Sequence, residues 1–323
     1  MKKIYITMLA ILTAISIVGC SSTLKIPTTP KKIQNIQIFS TQNIDEKVTT
    51  KSIEDAFESV GLSVPGNNDM NKPFITRFGT AHYKAYNLAM YINTNLTYKL
   101  LKKYPSFGAL TPLSMSIWVA KDNSMNISTL SIEGMARTAN IPLSDPDLIA
   151  YASLIKKALL TAMPYGSFKE LDYTVKFPKR TLASNFVAQV NLDGQSPEDF
   201  IEEFEAELEG ELEPLGFLFP NYTNVQEEIF DDMNYTGVYD FYHTYSICKF
   251  DVIYPVSKTH PEAGAWAPCS FYLYKKSGEN KMHIGFLSVE NWISTLNIED
   301  DLSLSPLLEA QGTIENVINE MIE

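Results

Sequence analysis

The feature that most constrains this fold is an internal repeat. Pro105, Gly108, Ala109 and Pro112 share the spacing Pro-x-x-Gly-Ala-x-x-Pro with Pro261, Gly264, Ala265 and Pro268. Upstream, Tyr83 and Tyr86 align with Tyr242 and Tyr245; downstream, Leu130-Ser131-Ile132-Glu133 aligns with Leu287-Ser288-Val289-Glu290. Order and approximate spacing agree. Two related domains are therefore expected, over 35–168 and 171–323, each of ordinary domain size. Duplication, rather than insertion, accounts for the 323 residues.

Both copies follow one plan. An acid-rich helix comes first, over about 50–60 and 197–213, and Gly61 or Gly216 ends it ahead of an extended segment. A Tyr-rich strand follows. The next helix is marked in the first copy by Leu96, Leu100, Leu101 and Tyr104; in the second, Pro255 predicts a shortened one. The Pro-Gly segment then leads into a hairpin with Asp122-Asn123 or Ser277-Gly278 at its tip. Closing helices carry stripes at Leu148, Ala152, Ile155, Leu159 and Ala162, and at Ile314, Val317, Ile318 and Met321.

This arrangement resembles the bacterial and archaeal family known as domain of unknown function 302. The likeness rests on Tyr245-Ser246-Ile247-Cys248, the segment Pro261 to Cys269, the strand Phe271 to Tyr274 and the Leu287 to Glu290 helix start, with their first-copy partners. It implies an α+β protein of two homologous domains, each with helices packed on a mostly antiparallel sheet. It implies no activity and no catalytic residue.

Residues 1–19 read as a secretion signal: Lys2 and Lys3, then an apolar stretch to Val18, shorter than the roughly 20 residues a membrane span needs. The stretch ends in Ile17-Val18-Gly19-Cys20, which resembles a bacterial lipobox, with Cys20 as the lipidated residue. Cleavage there removes two lysines and no acid, taking the formal charge from -12 to -14. Residues 20–34 read as a tether. The expected address is the periplasmic side of the cell envelope, with Ser21 after Cys20 favouring the outer membrane. So acidic a chain has no surface for phosphate backbones, which argues against nucleic acid as a partner.

With Cys20 acylated, Cys248 and Cys269 remain, both in the second copy and aligned with Ala89 and Leu113 of the first. In an oxidising compartment the first expectation is a disulfide; reduced core thiols are the alternative. His243, His260 and His283 share the second copy with both cysteines, so a metal ion or haem held by this set is a further reading. No Cys-x-x-Cys or His-x-x-x-His spacing supports it. Otherwise no cofactor is expected.

Tyr83 and Tyr86, like Tyr242 and Tyr245, are spaced to point to opposite faces of a strand, so one of each pair is expected in the core and the other at a surface; packing is the first reading and a ligand-stacking wall the alternative, as for Trp118, Trp266 and Trp292. Ser131 and Ser288 are expected to cap helices, with Glu133 and Glu290 at the positive ends. The nine acids between Glu198 and Glu213 read as a solvated helix face. Asn234, in Asp232-x-Asn234-x-Thr236, fits a bacterial N-glycosylation acceptor.

No nucleophile elbow, Walker loop, dinucleotide fingerprint or zinc-protease motif is present. The leading expectation is a lipid-anchored, non-enzymatic envelope protein binding a small molecule or a protein partner, with the interdomain groove and the Pro-Gly turns as its surface. A metal or haem redox protein and a structural role in envelope assembly are the alternatives.

Overall fold

The computed structural model describes residues 34–172 and 174–323. Cys20, the signal segment and nearly all of the tether lie outside them. The first copy runs β1 (Ile36–Gln42), α1 (Thr50–Ser59), β2 (Ser63–Asp69), α2 (Asn71–Phe78), β3 (Ala85–Ile92), α3 (Thr94–Lys103), β4 (Leu113–Val119), β5 (Ser124–Leu130), α4 (Ile132–Ala139), α5 (Pro146–Ala162) and β6 (Ser167–Lys169). The second runs β7 (Ala183–Gln189), α6 (Pro197–Leu212), β8 (Phe217–Asn224), β9 (Tyr239–Lys249), α7 (Phe250–Thr259), β10 (Cys269–Lys276), β11 (Lys281–Leu287), α8 (Glu290–Leu296) and α9 (Asp301–Ile322). The sheets are antiparallel, in the orders β2-β3-β4-β5-β1-β6 and β7-β11-β10-β9-β8. The protein is thus α+β, with two homologous domains.

Local chemistry sets the helix ends. Thr49 and Ser52 close a capping box on α1, Ser196 caps α6, and Asp145 caps α5 ahead of Pro146. Gly61 and Gly216 take φ of 93° and 87°, the left-handed conformation that turns each acidic helix into its strand. Helix α7 is not shortened: it has ten residues, as α3 does, with Pro255 inside it. Burial of Ile253 and Val256 against the core offsets the one hydrogen bond Pro255 cannot donate.

Each sheet is covered on both faces. In β9, Phe241, Tyr245 and Ile247 face α6 and α9 in the second copy's own core, whereas Tyr242 joins the core shared with the first copy. The Pro-Gly segments form 3-10 turns, Pro105–Leu110 and Pro261–Trp266, and each turn packs on the sheet of the other copy. The contacts are reciprocal. Tyr242 Oη donates to the Pro105 carbonyl and Tyr86 Oη to that of Pro261; Ser270 Oγ donates to Pro112 and Ser114 Oγ to Pro268.

The chain is therefore an internal pseudo-dimer. Met90 pairs with Ser114 as Ser246 pairs with Ser270, so Met90 and Ser246 are equivalent positions. The Ser246 Oγ lies 3.0 Å from the Met90 Sδ, as expected for equivalent residues meeting at a two-fold axis. Close approach demands small residues: a Cβ on Gly264 would stand 2.4 Å from that of Ser116, and one on Gly108 would stand 2.7 Å from that of Tyr272.

This geometry corrects the alignment of the tyrosines. Tyr86 pairs with Trp118 and Tyr242 with Tyr274, so Tyr86 corresponds to Tyr242, and the expected match of Tyr86 to Tyr245 is three residues out of register. By the same ladder Cys248 corresponds to Ile92, not Ala89, while Cys269 does correspond to Leu113.

Candidate functional site

The Pro-Gly turns do not form an open groove. Ala263, Gly264, Ala265 and Trp266 are buried, and Trp266 packs 5.9 Å from Trp292 with no hydrogen-bond partner for its Nε1 among the described residues. Tyr242 and Tyr245 do face opposite sides of β9, yet both are buried, because the other copy covers the face expected to be free. Tyr86 is buried as well. Tyr83 precedes β3, is half-buried, and lies 5.8 Å from the Tyr86 ring.

Cys248 and Cys269 are free thiols, so the expected disulfide is not formed. Cys269 stands opposite Ile247 on the neighbouring strand, which leaves Cys248 one residue along and on the other side of the pleat. The two nevertheless line one cavity of about 60 Å³, which wraps the end of the strands where β9 runs into α7. Its remaining walls include Phe217, Ile247, Val252, Phe286, Trp292, Leu307 and Ile314. Lys249, the one charged wall residue, lies over the Phe217 ring at 5.0 Å. Burial pushes the Cys248 thiol up to about 12 and the Cys269 thiol well above the usual range, so both stay protonated at neutral pH.

The cavity has a local cause. Where the first copy places Ile92 and Leu113, the second places two cysteines, which are smaller, and the space is not refilled.

The histidines do not converge on these thiols. His243 turns from β9 toward α6, where its Nδ1 lies 2.6 Å from Glu205 Oε1 and 3.3 Å from Tyr222 Oη. His260 lies 3.4 Å from Glu262, and His283 stacks on Tyr274 with ring centroids 4.7 Å apart. Among the described residues, one group places three potential ligand atoms together: Glu54, Asp55 and Glu58 on α1. With the imidazoles turned away from the thiols and from one another, Cys248, Cys269, His243, His260 and His283 do not come together as one metal or haem centre.

Glu205 and Tyr222 are the residues sequence reasoning missed. Glu205 is buried although it stands in the acidic run, because it shares the inward stripe of α6 with Ile201, Phe204, Leu208 and Leu212. That stripe was the available signal. Burial, and after it the charge of the Glu205 carboxylate, drives the Tyr245 phenol far above its ordinary range. The first copy holds a related array without titratable histidine or tyrosine: Asn87 donates to Asn67, which donates to Glu54. Glu290 is also buried and accepts the Lys179 backbone N–H, while Ser131 caps α4 as expected. Asn234 is exposed in a turn with φ of 55°.

The sequence pattern of the family described as "Domain of unknown function DUF302" matches residues 38–162 and 194–321, most of the chain and one match per copy. A crystal structure of an uncharacterized conserved protein DUF302 from Bacillus stearothermophilus is similar at 12% identity and a TM-score of 0.35, over 45% of this chain and 100% of that one. No curated protein matches. Among the described residues, no helix is long and apolar enough to cross a membrane.

Proposed function

For a chain that belongs to the DUF302 family and carries its domain twice, we propose a lipid-anchored envelope protein that binds a small apolar molecule in its second domain. The reading is non-enzymatic, with the anchor at Cys20 resting on the lipobox and its apolar approach. The observation that carries it is the cavity beside Cys248 and Cys269. Its lining is apolar apart from Lys249 and Gln311, and Gln311 is already committed to the Val289 N–H, Ser184 and Glu315. At about 60 Å³ it accepts roughly four to six heavy atoms, since one water needs about 10–15 Å³. Such a site selects by shape and dryness rather than by charge.

The test is a titration with neutral compounds of that size, isobutanol first, read by melting temperature and by tryptophan fluorescence, to which Trp292 contributes from the cavity wall. Saturable stabilisation that is lost when Val252→Phe fills the rim supports the proposal. An absence of any shift across the series refutes it.

A further inference from the structure

The two copies differ at one sheet edge. In the first, β6 pairs outside β1, with Phe168 opposite Phe39 and their rings 4.8 Å apart in an edge-to-face contact. In the second, β7 holds the place of β1, since Phe186 pairs with Ile284 as Phe39 pairs with Ile127, but β7 is the last strand of its sheet. Phe39 is fully buried; Phe186 is only partly so, and Val187 beside it is 50% exposed.

Among the described residues, this edge lacks the usual protection. Both β2 and β8, at the far ends of the two sheets, carry register irregularities that bend an edge away from a new partner. Strand β7 instead pairs in unbroken register from Ala183 to Gln189 and contains no charged residue and no proline. On a chain with a formal charge of -12, an uncharged strand is where two copies can meet without like charges opposed.

We infer that β7 is a dimerisation strand: two copies of this chain pair antiparallel about Phe186, joining their second sheets into one. Antiparallel pairing of a strand with itself is isologous and closes at two subunits. Centred on Phe186, it sets Phe186 directly opposite its counterpart and reproduces the Phe39 and Phe168 pair that covers the first copy's edge. Backbone groups along β7 gain the ladder partners that β6 gives β1.

Sedimentation equilibrium of the lipidated protein in density-matched detergent tests this. The wild-type chain is expected at twice the monomer mass. Phe186→Lys and Phe186→Glu, each checked for folding by its melting curve, are expected at monomer mass, and an equal mixture of the two at dimer mass again, because opposite charges then face each other at the centre. If the Phe186 variants do not fold, Val187→Lys, at an exposed position, is expected to reduce the dimer. A monomeric wild type, a Phe186→Lys chain that stays dimeric, or a mixture that stays monomeric overturns the inference.

Discussion

Restoring the first copy's residues in the second, as Cys248→Ile with Cys269→Leu, should remove the cavity and with it the ligand. Measured core cavities cost about 24 cal/mol per Å³, so filling about 60 Å³ is worth up to roughly 1.4 kcal/mol. For domains of this size that corresponds to a rise of about 3–6 °C in melting temperature. Calorimetry of wild type and double variant measures it, and the same samples titrated with isobutanol report binding. The double variant should melt higher and no longer respond to the ligand. A loss of more than about 1 kcal/mol, the signature of overpacking, would refute the idea that two small side chains left unfilled space.

Three further outcomes follow from the geometry. Gly264→Ala and Gly108→Ala each place a Cβ within 2.7 Å of a side-chain carbon across the seam, and each should lower stability by about 1–3 kcal/mol in urea denaturation. His243→Ala leaves the buried Glu205 side chain without its 2.6 Å hydrogen-bond partner and should cost about 1–3 kcal/mol, while His243→Asn, the residue at the equivalent position of the first copy, should cost less. The raised Cys248 thiol stabilises the fold fully below the unfolded thiol range near 8.5, and that contribution is lost as pH rises toward about 12. Unfolding free energy should therefore fall across that window in the wild type and fall less in Cys248→Ala; iodoacetamide should label neither thiol of the folded protein at neutral pH.

The duplication and the hairpins were legible because turns and helix ends leave local marks such as Gly61, Gly216 and Ser277-Gly278, whereas strands β1 and β7, which precede the helix expected to open each copy, were not. The three-residue slip at the tyrosines has a simple origin. The first copy holds two tyrosines three apart, Tyr83 and Tyr86, and the second holds three, Tyr239, Tyr242 and Tyr245, so a local match aligned Tyr86 with Tyr245, where the ladder joins Tyr86 to Tyr242. A sheet covered on both faces gives continuous burial rather than alternation, which hid the seam and left one tyrosine of each pair expected at a surface. Strand β6 is three residues long and left no periodic signal, and the cavity was invisible because it depends on what the neighbours of Cys248 and Cys269 fail to fill. Glu205 could have been found: it falls on the apolar stripe of its helix.

The proposed site is tested most directly by a carbon NMR spectrum of protein labelled at cysteine Cβ, recorded during addition of isobutanol. The account predicts that the Cys248 and Cys269 signals lie in the reduced range and move together, saturably, as the ligand enters. Signals in the oxidised range, or reduced signals that stay fixed while the ligand binds elsewhere, would contradict it.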